Sequence, residues 1–268
     1  MTIGMNNLGK NGRIGNQMFQ YAALVGIAKN KGYDFRIPEN QELSKCFEML
    51  HCGNRYGHID GDEVELHDSH EFCKELFDEC PNHITLNGYF QSEKYFQNAK
   101  KLLRWDFRFK PETIKEVDEI YGDVLNKNPI SVVVRDYNDT FDYPNCSYNH
   151  LNLPFSYFKK GLKILGEDRP VIICSNNIEL CKLQKEFSKD NFIFVDNKTK
   201  SPKAHFDLCL ISKCKDFIIS NSTFSWWGAY LGGHKNKRVL CPNKWYGEGL
   251  SHISTQDLLP EDWEIIKL

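Results

Sequence analysis

The sequence predicts an α/β protein built from two Rossmann-like halves that face a cleft, with no transmembrane stem. Three observations carry that reading. Short β-branched runs apolar on both faces alternate with helical segments through the second half of the chain, as in a parallel sheet covered by helices on both sides. The N-terminal stretch has the strand–helix–strand order of a βαβ unit. The length of 268 residues lies between one and two domains, and no apolar run approaches the ~20 residues needed to span a bilayer.

In chain order, Thr2 to Asn6 reads as a strand, Asn16 to Lys29 as a helix and Tyr33 to Ile37 as a second strand. The stretch 40–80 is rich in charges and histidines and reads as loops and short helices. Ile84-Thr85-Leu86 is a further strand, and Gln91 to Trp105 and Pro111 to Leu125 read as helices. Asn126-Lys127-Asn128-Pro129 is a joint, because proline disfavours helix at the residue before it. Beyond it come strand Ile130–Val134, helix Phe155–Leu165, strand Val171–Cys174, helix Ile178–Phe187 and strand Phe192–Val195. Helix Phe206–Cys214, strand Phe217–Ile219, helix Thr223–Leu231 and strand Arg238–Cys241 complete a doubly wound sheet of about five strands. The expected division is 1–128, 129–250 and a tail, 251–268, that packs back on the first half.

Composition narrows the function. With 34 basic and 36 acidic side chains the net charge is −2, which argues against a nucleic-acid partner. A hydrophobic fraction of 41% is too high for a disordered chain. Met1-Thr2-Ile3-Gly4-Met5-Asn6-Asn7 lacks the basic and apolar regions of a signal peptide. The expected location is therefore cytoplasmic, with peripheral attachment to a membrane left open. The ten cysteines are expected as free thiols, since none falls in a CxxC pair. The Asn-x-Ser/Thr triplets at Asn138, Asn145, Asn197 and Asn221 are expected to carry no glycan. His51, His58, His67, His70 and His83 lack ligand spacing, and Asp60-Gly61-Asp62, which does not follow an apolar strand, reads as a turn. No metal and no cofactor is expected.

In such sheets ligands bind at the carboxyl ends of the strands. The second half places there Arg135-Asp136-Tyr137, Ser175-Asn176-Asn177, Asp196-Asn197-Lys198, and the run Asn221-Ser222-Thr223-Phe224. The last runs from strand into helix. Ser222 or Thr223 can cap that helix, whose free N–H groups suit a phosphate, with Arg135 as a bidentate partner. An ordinary capped helix with Trp226 and Trp227 in the core explains the same pattern. Asn221 reads as a turn residue. In the first half, Gly9 to Gln17 lies between strand and helix, with glycines that allow close approach of a ligand. It is neither a GxGxxG turn nor a Walker loop, which disfavours a dinucleotide oxidoreductase. There Arg13 and Asn16 can reach a diphosphate or a sugar.

Three segments together resemble the α-1,2-fucosyltransferase family, glycosyltransferase family 11. They are Gly12-Arg13-Ile14-Gly15-Asn16-Gln17-Met18-Phe19-Gln20-Tyr21-Ala22, Gly88-Tyr89-Phe90-Gln91-Ser92-Glu93-Lys94-Tyr95-Phe96, and Asn221-Ser222-Thr223-Phe224-Ser225-Trp226-Trp227-Gly228-Ala229. The tail Asp257–Trp263 is similar to the family's ending. The resemblance implies a GT-B fold, GDP-fucose as donor, inversion at the anomeric carbon and no metal. It implies a donor site on the second half, and on the first an oligosaccharide or glycoconjugate acceptor, commonly a galactoside.

By the same analogy Arg135 pairs with the diphosphate, Ser222 and Thr223 hold its oxygens, and Asp207 reads the guanine edge. Gly15, Asn16, Ser175, Asn221 and Phe224 complete the expected donor-binding set. Arg13, Arg135 and Asp136 are the expected catalytic residues, with Asp139 as a second candidate base. Two departures stand out. The family pattern His-x-Arg-Arg-Gly-Asp-Tyr is here Val133-Val134-Arg135-Asp136-Tyr137, and Ser-Asp-Asp is Ser175-Asn176-Asn177. One arginine and the histidine are missing, so a different GDP-sugar or a catalytically weak sugar-nucleotide-binding homologue is the alternative.

Overall fold

The first strand, β1 (Thr2–Gly4), leads into an 18-residue helix, α1 (Ile14–Lys31), and back to β2 (Asp34–Arg36), parallel to β1. The computed structural model describes residues 1–39, 42–66, 71–138, 146–196 and 199–268. Helix α1 is buried on nearly every side, and even Gln17 and Gln20 are in the interior. Short α2 (Glu42–Cys46), β3 (Asp62–Glu65), α3 (Lys74–Glu79) and β4 (Ile84–Asn87) follow, giving a parallel sheet in the order β2-β1-β4-β3.

Strand β3 corrects the expectation for 40–80. Asp62, read as part of a turn, opens a strand in register with Ile84. Its residues Asp-Glu-Val-Glu are exposed or half-buried, as an edge strand tolerates.

The expected helix 91–105 is also corrected. Only α4 (Lys100–Asp106) is α-helical, preceded by 3₁₀ turns at Glu93–Tyr95 and Gln97–Ala99. Ser92 accepts from the Lys94 N–H and caps the first of these. The turns run hard against α1 at Gly26, where a Cβ would lie 1.9 Å from the Tyr95 carbonyl oxygen. Only glycine allows that approach.

The second sheet is the larger. Helix α5 (Pro111–Leu125) precedes β5 (Ile130–Val134), then come α6 (Cys146–Asn149), α7 (Phe155–Leu165), β6 (Val171–Ser175), α8 (Ile178–Lys182) and β7 (Phe192–Phe194). Next are α9 (Lys203–Ser212), β8 (Asp216–Ile218), α10 (Thr223–Leu231), β9 (Val239–Pro242) and β10 (Glu264–Ile266). The expected helix 178–187 stops at Lys182 and resumes as a 3₁₀ turn, Lys185–Phe187. All six strands are parallel, in the order β10-β9-β8-β5-β6-β7. The sixth, β10, was expected only as tail. β5 and β6 are buried along their whole length, which is why they read as unbroken apolar runs. The core between sheet and helices includes Ile130, Val132, Tyr157, Phe158, Leu162, Ile173 and Ile218.

Contacts divide the chain into one unit of Met1–Lys110 with Ile253–Glu261, and another of Pro111–His252 with Asp262–Leu268. Helix α5, placed in the first half by the sequence, packs on α9 and so goes with the second. The tail is shared. Asp257 accepts hydrogen bonds from Phe72 N and Lys94 in the first unit, and Trp263 packs on Trp226 in the second. The nine described cysteines are free, eight of them buried. No helix among the described residues is long and apolar enough to cross a membrane.

Candidate donor site

The second unit brings its expected residues to one rim. β5, β6 and β8 are neighbours in the sheet, so the segments leaving their carboxyl ends meet there. Arg135 follows β5 with its guanidinium over the Tyr137 ring, 5.3 Å from the centroid. No ion pair holds it among the described residues. The Tyr137 hydroxyl donates to the Asn221 carbonyl at 2.6 Å and ties this loop to the start of α10.

Asp136, an expected catalytic residue, is buried and committed to the loop. Its Oδ1 accepts from Asn138 N at 2.9 Å and its Oδ2 from Asn177 Nδ2 at 2.8 Å. Its backbone N–H and carbonyl are both bonded to the Asn176 amide. Asp136 thus braces the loop that presents Arg135. Ser175, at the end of β6, accepts from Asn177 N at 3.0 Å. The Ser-Asn-Asn departure acquires a reason here, because amides donate to Asp136 where further carboxylates would repel it. Asp139 and Asn145 lie outside the described residues, as do Asn197, His67 and His70.

Asn221 is 1% exposed. Its Nδ2 donates to the carbonyls of Leu151 and Trp245 at 2.9 and 2.7 Å, so it is a turn residue and no glycan acceptor. Ser222 stands at the N-cap of α10 with extended backbone, and its carbonyl accepts from Trp226 N. The Ser222 side chain makes no cap bond to this helix. Its first turn carries backbone N–H groups and the positive end of the helix dipole beside half-buried Ser222, Thr223 and Phe224.

Asp207 is the one carboxylate on α9 and is 7% exposed. Its Oδ1 is buried with no hydrogen-bond partner. Burial pushes its pKa up to about 7, partly offset by Lys203. A buried carboxylate oxygen without a partner costs free energy and fits a ligand that brings N–H donors. The raised pKa also sets a stability slope. The native protein holds a proton that the unfolded chain releases near pH 3.8. Stability thus falls as pH rises from about 4 to about 7, by up to ~1.4 kcal/mol per pH unit. In Asp207→Asn that fall should be absent, so urea unfolding at pH 5 and pH 8 should show a smaller loss than in the wild type. An unchanged difference between the two pH values would refute the assignment.

The first unit holds the other expected residues. Gly12 has φ +84°, and a Cβ there would lie 2.3 Å from the Asn16 amide nitrogen. Arg13 is exposed at the N-cap of α1, its carbonyl accepting from Asn16 N and Gln17 N at 2.9 and 3.1 Å. Gly15 is buried in the first turn. Asn16 Oδ1 accepts from Gln91 Nε2 at 3.2 Å, and Gln20 Nε2 donates to the Gly88 carbonyl at 3.0 Å. The first and second motifs therefore form one polar seam. Among the described residues no cluster of three or more His, Cys, Asp or Glu could hold a metal.

The model of glycosyl transferase family 11 matches residues 64–267, most of the chain. The chain belongs to glycosyl transferase family 11. Among its relatives, an α-1,2-colitosyltransferase of Escherichia coli is 26% identical, covering 94% of this chain and 95% of that one. The O-antigen biosynthesis glycosyltransferase WbnK of the same species is 27% identical over 70% of this chain. Human galactoside α-(1,2)-fucosyltransferase 1 is 25% identical over 83% of this chain. The match spans 64% of each of the last two proteins. The fold is that of the GT-B fucosyltransferases. NodZ from Bradyrhizobium superposes with a TM-score of 0.56 at 13% identity, over 86% of this chain and 91% of NodZ. Arabidopsis thaliana FUT1, in complex with GDP, gives 0.53 at 13%, over 89% of this chain and 69% of that one.

Within this family 11 chain, sequence reasoning missed a ring cluster. His150 stacks on Tyr137 with centroids 4.7 Å apart and planes at 15°, and Tyr246 packs against it at 5.8 Å. No spacing marks His150, because its ring neighbours come from two other segments of the chain.

Proposed function

We propose that this chain transfers L-fucose from GDP-fucose to a hydroxyl of a glycan acceptor, with O2 of a galactoside as the expected position. The observation that carries the reading is the buried, unpartnered carboxylate oxygen of Asp207. A carboxylate only accepts hydrogen bonds, and guanine offers adjacent ring and amino N–H donors. The N-terminal end of α10 and Arg135 supply donors and charge for the diphosphate. The α-1,2 linkage in the names of two relatives and the GDP complex of a solved neighbour support the same reading.

The step is a direct displacement with inversion. The acceptor oxygen bonds to the anomeric carbon as that carbon's bond to the phosphate oxygen breaks, and the electron pair leaves with GDP. Cation and helix N–H groups stabilise the charge that builds on the leaving diphosphate, and no metal takes part.

The colitosyltransferase relative, aligned over 94% of this chain, favours a second reading in which the donor is another GDP-sugar. Transfer from GDP-fucose and GDP-colitose to a panel of galactosides, with the linkage determined by NMR, separates the two. Binding of a GDP-sugar without transfer or hydrolysis would mark a catalytically weak homologue. No binding of either donor would overturn the donor site itself.

A further inference from the structure

The loop after β5 carries one arginine where the family pattern has two. A second group contacts the same ring as that arginine. His150 and Arg135 share the Tyr137 ring, the imidazole stacked at 4.7 Å and the guanidinium centred 5.3 Å away. The imidazole is held in place from several sides. Tyr246 packs against it, and Asn149 beside it accepts from Gly247 N at 2.9 Å. Tyr137 is itself pinned to Asn221, immediately before the N-cap of α10. Among the described residues, the titratable groups facing His150 are Arg135, Tyr137 and Tyr246, with Tyr148 two positions back. Glu248 sits on the turn that packs against α6.

Burial and the positive charge of Arg135 hold the His150 pKa below the ordinary histidine value. That shift favours the neutral imidazole near pH 7. A diphosphate bound to Arg135 reverses that electrostatic balance. It cancels the repulsion and adds attraction for the charged imidazole.

We propose that His150 takes up a proton from solvent when the sugar-nucleotide diphosphate binds, and as an imidazolium packed on the same Tyr137 ring as Arg135 supplies a second positive charge to the donor subsite. The proton adds to the unprotonated ring nitrogen and no other bond changes. In the transfer step the imidazolium stabilises the electron pair that leaves with GDP. This inference rests on the donor reading above.

The test is calorimetric titration of GDP-fucose into the whole protein without acceptor, at pH 7, in two buffers of different ionisation heat. GDP-fucose is the probe because its diphosphate is esterified at both ends and does not titrate near neutrality. His150→Gln and His150→Phe are compared with the wild type, the phenylalanine keeping a ring on Tyr137. Proton uptake should be greater in the wild type than in either variant. From pH 8 to pH 6 the wild-type affinity should rise several-fold relative to both, under the ceiling of about tenfold per pH unit for one linked proton. Asp207 contributes a proton change of its own, but equally in all three proteins. Equal proton balance in wild type and His150→Phe would overturn the proposal while leaving the donor site standing. Failure of GDP-fucose to bind the wild type would overturn the donor reading.

Discussion

Arg135→Ala is expected to lower kcat/KM for sugar transfer by about 10²–10³-fold, the usual cost of removing one group that stabilises developing negative charge. The protein should still fold. Arg135 is half-buried, and its contact with Tyr137 is a cation–π pair, worth about 0.5–1 kcal/mol at an exposed site. The loop beneath it is held by Asp136, Asn176 and Asn177 without its help. Arg135→Lys should fall between wild type and alanine, because an ammonium keeps the charge but loses the two-pronged geometry that matches a phosphate. Initial rates beside an unfolding curve check both. Full turnover in the alanine variant would remove Arg135 from the mechanism.

Trp226→Ala should cost the second unit about 3–5 kcal/mol, against a total stability of about 5–15 kcal/mol for a typical domain. The indole is fully buried and meets Trp227 edge-on at 5.0 Å, Tyr230 face-on at 4.6 Å and Trp263 at 5.2 Å. Trp227 and Tyr230 lie on the same helix, and the start of that helix is the proposed phosphate end of the site. Loosening the cluster should therefore weaken GDP binding as well as lower the denaturation midpoint. Trp105, 56% exposed, is the control, and its alanine variant should unfold within about 0.5 kcal/mol of wild type. A Trp226→Ala midpoint equal to that of Trp105→Ala would mean that the ring cluster does not hold α10.

Much of the larger sheet was legible because its strands are buried on both faces. Ile130–Val134 and Val171–Ser175 have no polar face to confuse the pattern. Helices with one apolar stripe, such as Phe155–Leu165 and Pro111–Leu125, were read at the bounds observed. Legibility failed where the determinant is a distant contact. Asp62–Glu65 is a strand because β4 lies beside it, and its own residues show no alternation. Glu93–Tyr95 and Gln97–Ala99 are 3₁₀ turns where the backbone lies hard against α1 at Gly26. At the site, Asp207 was reached only through the family resemblance, because its burial and unpartnered oxygen depend on packing that the fold supplies. Asn176 and Asn177 were read only as a departure from a pattern, and their bonds to Asp136 required the fold.

The segment Ile253–Glu261 belongs to the first unit although the chain reaches it only after most of the second. During synthesis the earlier unit therefore waits for its last piece. At about 5–20 residues per second, the stretch from Pro111 to His252 takes roughly 7–30 s to emerge. Through that interval the backbone N–H of Phe72 and the ammonium of Lys94 lack their partner, Asp257. The first unit to begin leaving the ribosome thus closes only when the chain is nearly finished.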